Sequence, residues 1–251
     1  MLVRIANIFL VSLLVGCVTV TEQSANNQFD KIKAAEARIS LGLSYLESKD
    51  MIRARENLET AVSYAPDYYR SLIAMAHFYQ EVGETDQAEQ AYKKALRESP
   101  KNGDVLNNYG TFLCKIGRYD EADVFFNRAI EQPYYYLIAA SYQNAAMCAL
   151  KSGDQDKAEY YFARSLDHDP NRVVSILQLT QIEIQKAKYR EARVRLLKFH
   201  NRYGYKASSL GLLIELEKQA GNNTLANKYA SVLKDKYPDS IQYQKYVANE
   251  Y

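Results

Sequence analysis

Between Tyr69 and Pro100 the apolar and small residues recur with a helical period. Leu72, Met75, Ala76 and Tyr79 stand at i, i+3, i+4 and i+7, one face of an α-helix. Gly83 breaks the run, and Asp86 and Gln87 lead into a second helix whose inner face is Ala88, Tyr92 and Ala95. Pro100 has no amide hydrogen and ends that helix. The stretch is a helical hairpin that can bury its apolar face only against neighbours.

The chain supplies those neighbours at a spacing of 34 residues. Upstream, Leu41-Gly42, Tyr45, Ala54, Leu58, Ala61 and Pro66 occupy the matching positions; downstream come Leu106, Tyr109-Gly110, Leu113, Gly117, Ala122, Phe126 and Ala129. Three further units carry Ala146, Gly153, Ala158 and Phe162, then Leu179, Ala192 and Leu196, then Leu213, Gly221, Ala226 and Ala230. A small residue at position 8, Ala at 20 and Pro at 32 of a 34-residue period is the tetratricopeptide signature. The repeats are expected near 35–68, 69–102, 103–138, 139–172, 173–206 and 207–238, with two extra residues at Pro133–Tyr136. The last two units depart from the pattern: Thr180 and Ile214 replace the small residue, and Glu183 and Glu217 stand where an aromatic is usual. The fold class that follows is all-α, a right-handed superhelical solenoid of six hairpins over 31–251. Residues 239–251 form its C-terminal capping helix, with Asp239 or Ser240 as N-cap.

The first thirty residues follow another logic. Arg4 precedes an apolar stretch from Ile5 to Val15, and Leu14-Val15-Gly16-Cys17 matches a bacterial lipobox. A dozen residues at about 1.5 Å each are too short to span a hydrocarbon core of roughly 30 Å. Residues 1–16 are therefore expected to be a lipoprotein signal peptide, Cys17 the lipidated residue, and 17–30 a polar tether. Val18 after the cysteine, rather than Asp, favours the outer membrane by the bacterial sorting pattern, with the protein facing the periplasm.

Composition narrows the function. Among 251 residues, 32 Lys and Arg against 30 Asp and Glu leave a net charge of +2, which argues against nucleic acid as a partner. There is no phosphate-binding glycine loop, no H-E-x-x-H, no C-x-x-C and no nucleophile elbow, and His77, His168 and His200 lie in different repeats. No enzyme activity, metal, cofactor or small-molecule substrate is expected, only the covalent lipid on Cys17. His168 and His200 fall near the C-terminal ends of second helices, where a cation would be favoured. Cys114 and Cys148 stand at positions 12 and 10 of adjacent first helices. Those positions point different ways, so two buried or half-buried thiols are expected rather than a disulfide.

A concave binding groove remains as the candidate functional surface. Positions 2, 5, 9 and 12 of the first helices should face it. In the first repeat these are Glu36, Ile39, Leu43 and Leu46, and in the second Arg70, Ile73, His77 and Gln80. The expected partner-binding residues are thus Ile39, Leu43, Leu46, Arg70, Ile73 and His77, an exposed apolar strip framed by Glu36 and Arg70 and suited to an amphipathic helix or apolar peptide. Val174, Leu177 and Ile184 form a weaker second strip.

A lipobox followed by six repeats and little else resembles the PilF/PilW pilotins of type IV pilus assembly. The third repeat, with Val105-Leu106-Asn107-Asn108-Tyr109-Gly110 followed by Arg118-Tyr119-Asp120-Glu121-Ala122, carries the resemblance. So does Tyr237-Pro238-x-Ser240-x-x-Tyr243 near the C-terminus. The resemblance implies a lipidated outer-membrane scaffold that binds the pilus secretin subunit, chiefly through the N-terminal repeats, and promotes its localisation and multimerisation. An adaptor of the same architecture serving β-barrel assembly or peptidoglycan-hydrolase recruitment is the alternative, and a periplasmic enzyme a more distant one.

Overall fold

The computed structural model describes residues 30–251, and among the described residues it contains thirteen helices and no strand. They form six hairpins: α1 (Lys31–Glu47) with α2 (Met51–Tyr64), α3 (Tyr69–Glu81) with α4 (Thr85–Glu98), and α5 (Gly103–Lys115) with α6 (Tyr119–Ile130). Then come α7 (Ile138–Ser152) with α8 (Gln155–His168), α9 (Val173–Gln185) with α10 (Tyr189–Tyr203), and α11 (Ala207–Gln219) with α12 (Asn223–Lys236). A short α13 (Ile241–Val247) follows, N-capped by Ser240, whose Oγ accepts from the Tyr243 amide. The expected signal peptide, Cys17 and the tether through residue 29 lie outside the described residues. Asp30, assigned to the tether from the sequence, is instead the N-cap of α1, its carboxylate accepting from the Ile32 and Lys33 amides at 3.1 and 3.0 Å.

Each hairpin turns at one residue in the left-handed region. Gly83, Gly117, Gly153 and Gly221 hold it with φ between 79° and 85°, the conformation glycine adopts without a Cβ penalty. In the first and fifth repeats the same place is taken by Lys49 (φ 63°) and Ala187 (φ 55°).

Small residues let the helices of a hairpin close. A Cβ on Gly110 would lie 3.0 Å from the Phe126 ring and 3.2 Å from the Ala122 carbonyl oxygen, so α5 and α6 meet at backbone distance there. The core lies between the two helix layers as a series of clusters along the array. Ala76, Ala88, Tyr92, Phe112, Leu113, Phe126, Ala146 and Phe162 are all buried in its central part. The two-residue insertion is also built in: Tyr135 is buried over Gly103, where a Cβ would sit 2.4 Å from its ring, while Tyr134 and Tyr136 stand in solvent.

Where the aromatic of the repeat pattern is missing, an ion pair takes its place. Glu183 and Glu217 are both buried, and each receives two guanidinium hydrogen bonds, from Arg195 and from Arg193 respectively. None of the described helices is long and apolar enough to cross a membrane.

Candidate functional site

The concave face of the first two repeats is a shallow cleft of about 370 Å³ lined by Glu36, Ser40, Leu43, Ser44, Glu47 and Arg70, with Ile39 at its floor. It is more polar than the sequence pattern implies. Leu43 and Ile73 are half-buried and Arg70 and His77 are exposed; of these four, Leu43 and Arg70 line the cleft. Ile39 and Leu46 do not form an exposed strip. Each is only 4 % exposed, packed with Ala54, Leu58, Met75 and Phe78. The buried stripe of α1 runs Ala35, Ile39, Gly42, Leu46, because α1 packs against α3 as well as against its own hairpin partner α2. Positions 5 and 12 of α1, Ile39 and Leu46, therefore point into the joint with the next repeat. In the weaker second strip, Ile184 is fully buried, while Val174 is exposed and Leu177 half-buried.

The same joint explains the cysteines. Cys114, at position 12 of α5, faces α7, and Cys148 faces back toward α5; their Cα atoms are 5.8 Å apart and the two form a disulfide. This overturns the expectation of two thiols. First helices of adjacent repeats come close enough here for side chains from both to share one layer. Asn107, at position 5 of α5, accepts hydrogen bonds across the joint from Ser141 and Asn144 of α7.

Electrostatics give the cleft a fixed frame. Arg70 reaches back to Glu36 at 3.0 Å, and the Tyr68 hydroxyl donates to the same carboxylate. Burial and that carboxylate push the Tyr68 hydroxyl up to about 12, so it remains a donor. One repeat further along, Glu81 holds Lys115 at 3.2 Å and Lys49 at 3.9 Å. His77 beside them is drawn below its ordinary pKa, first by partial desolvation and then by the two lysines, against Glu81. The ring is neutral at pH 7 and offers hydrogen bonding rather than charge. The cleft is thus a half-apolar, half-polar trough: Leu43 supplies contact area and Glu36 and Arg70 supply direction, with Ile73 and His77 on α3 outside its lining. An amphipathic segment fits it better than a wholly apolar one.

The other histidines are structural. His168 stacks on Tyr142 with ring centroids 5.4 Å apart. His200, expected as a cation at a helix end, is instead buried against Ser209 Oγ at 2.8 Å, and burial holds it down to about 4, neutral at pH 7. No group of three or more His, Cys, Asp or Glu able to hold a metal occurs among the described residues.

Tetratricopeptide-repeat family models match residues 35–68, 69–102 and 102–171. Along its full length the chain is 31% identical to the type IV pilus assembly protein PilF of Pseudomonas aeruginosa, covering 100% of both proteins. The solved structure of P. aeruginosa PilF superposes with a TM-score of 0.72 at 30% identity, over 87% of this chain and 99% of that one. The structure of PilW, described as a widely conserved type IV pilus biogenesis factor, gives 0.73 at 26% identity, over 85% and 98%. With sequence identity along the full length and structural similarity over most of it, the chain belongs to the PilF/PilW family of type IV pilus tetratricopeptide-repeat proteins.

Proposed function

We propose that the protein is a pilotin: an outer-membrane lipoprotein, anchored through Cys17 and facing the periplasm, that binds the type IV pilus secretin subunit and promotes its localisation and multimerisation. The observation that carries this reading is the end-to-end match to a type IV pilus assembly protein. Two features of the chain support it. The lipobox ending at Cys17 supplies an acylation site, and a second acyl chain makes such anchoring stable, since each buried methylene contributes about 0.8 kcal/mol. The Cys114–Cys148 disulfide suits an oxidising compartment such as the periplasm. In mechanism this is a tethered chaperone. The lipid keeps the array at the membrane, and the trough around Leu43 and Arg70 holds an amphipathic secretin segment while subunits gather.

Co-purification with detergent-solubilised secretin tests the partner; a secretin that stays unbound overturns it. Leu43→Glu places a charge in the trough at a half-buried position on the edge of the core and is expected to abolish capture while circular dichroism stays native. Retained capture would move the binding surface elsewhere. Cys17→Ser is expected to leave the protein unacylated and absent from outer-membrane fractions.

A further inference from the structure

On the opposite side of the array from the trough, second helices α8 and α10 part over α9 and leave a cleft of about 410 Å³. Its floor is apolar, made by Ala163 and Leu166 of α8, Ile176 of α9 and Phe199 of α10. Its α10 rim is cationic. Arg195 is neutralised by Glu183, and Asp167, which lines the cleft from α8, is held by Arg164 at 2.8 Å. Lys198 and Arg202, by contrast, are exposed and make no ion pair with any described residue. A second cleft of about 330 Å³, lined by Arg190, Val194 and Lys198 among others, continues the surface over the outer side of α10. Arg190, Val194, Leu197, Lys198 and Arg202 are all exposed and fall within one sector of the helix. The charge is local. Residues 186–206 hold eight Lys and Arg against one acidic residue, Glu191, in a chain whose net charge is only +2.

We propose that this cleft is a second docking site, for an acidic protein segment that inserts an apolar side chain between α8 and α10 and sets carboxylates against Lys198, Arg202 and Arg190. Charge complementarity selects the sign of the occupant, and the recessed floor selects its class. Ile176 and Phe199 are 7 % and 3 % exposed and lie below the rim, where a side chain can enter and a flat anionic bilayer cannot. The site is remote from Leu43 and does not depend on the pilotin reading. A scaffold with one trough on its concave wall and one cationic cleft on its convex wall could hold two different segments at once, each raising the effective concentration of the other.

The probe is a short fluorescein-labelled peptide in which Phe and Leu alternate with glutamates, titrated against the full chain in detergent by fluorescence anisotropy. The same peptide with lysines in place of glutamates is the control. The acidic peptide is expected to bind, more weakly as salt rises, and the basic one not to bind. Lys198→Glu with Arg202→Glu is expected to weaken binding by roughly tenfold or more. Ala163→Leu, which fills the floor from a half-buried position, is expected to weaken it without changing net charge, and Leu43→Glu to leave it unchanged. The proposal is overturned if neither peptide binds, if both bind equally, or if the charge-reversed variant binds like the wild type. Binding of the chain to phosphatidylglycerol vesicles through Lys198 and Arg202, with the acidic peptide ignored, would also overturn it, in favour of a membrane contact.

Discussion

Arg193 donates to both carboxylate oxygens of Glu217, at 2.7 and 2.8 Å, although the Glu217 side chain is wholly inaccessible to solvent. Asn222 adds a third bond at 2.7 Å. Burial alone would raise the Glu217 pKa; the bonds from Arg193 and Asn222 outweigh it and hold the carboxyl below the ordinary range. Removing one partner strands the other. Arg193→Ala is expected to cost about 3 kcal/mol in urea unfolding, because a buried carboxylate loses its counter-ion. Arg193→Met combined with Glu217→Leu should recover most of that loss, and a double variant as unstable as the single one would show that the pair is not the cause.

Cys114 and Cys148 tie the third repeat to the fourth across a sequence separation of 34 residues. Closing a loop of that length removes entropy from the unfolded chain worth about 2–4 kcal/mol. Thermal melts with and without reductant should therefore differ by several degrees, with the reduced protein melting lower. Cys114→Ser should melt like the reduced wild type and ignore reductant. Equal melting temperatures for all four samples would mean that the two repeats are held by packing alone.

How far the sequence reaches is visible at these two sites. The hairpin of α3 and α4 was legible from Leu72, Met75, Ala76, Ala88 and Tyr92, because burial inside a hairpin follows the helical period. Glu183 and Glu217 stood out as departures, but their partners Arg195 and Arg193 lie 12 and 24 residues away with no periodic signal between them. Ile39, Leu46 and Cys114 depart from the pattern's expectation for another reason. Groove and inter-repeat joint are adjacent sectors of one helix, and which sector a side chain enters depends on the spacing of successive first helices, which a single-helix pattern does not encode. The α8–α10 cleft has no periodic signature because it is a gap between elements. The run of cations from Lys186 to Lys206 was its only trace in the sequence.

Ala187 occupies the left-handed turn position that glycine fills in four other repeats, at φ 55°. A Cβ in that region costs on the order of 1 kcal/mol. Ala187 is exposed, so no packing is lost on removing its methyl. Ala187→Gly is accordingly expected to stabilise the fifth repeat by about 0.5–1 kcal/mol, read as a higher urea midpoint with an unchanged slope. Gly153→Ala, the reverse change in the fourth repeat, should destabilise by a similar amount. If both variants unfold with the wild type, the turn conformation is not under strain.

Glu89 joins the second repeat to the third and sets the acid limit of that joint. Its carboxylate receives Lys93 at 2.9 Å from its own helix, Arg118 at 2.7 Å from the start of α6, and the Tyr109 hydroxyl at 3.2 Å from α5. The hydrogen bonds from Lys93 and then Arg118 hold its pKa down to about 2 from an ordinary 4.5. A carboxyl depressed in the folded state contributes stability that is fully present above the unfolded pKa and is lost as pH falls through the folded one. The contribution should therefore be constant at pH 6 and above, and decline from about pH 4.5 toward pH 2. After allowance for solvent screening it amounts to about 2 kcal/mol. Other carboxylates titrate in the same window, so the informative quantity is the stability difference between the wild type and Glu89→Gln. That difference is expected to favour the wild type at pH 7 and to shrink toward zero near pH 2. A difference independent of pH would assign the loss to the missing hydrogen-bond geometry rather than to the charge, and would break the link between Glu89 ionisation and the joint.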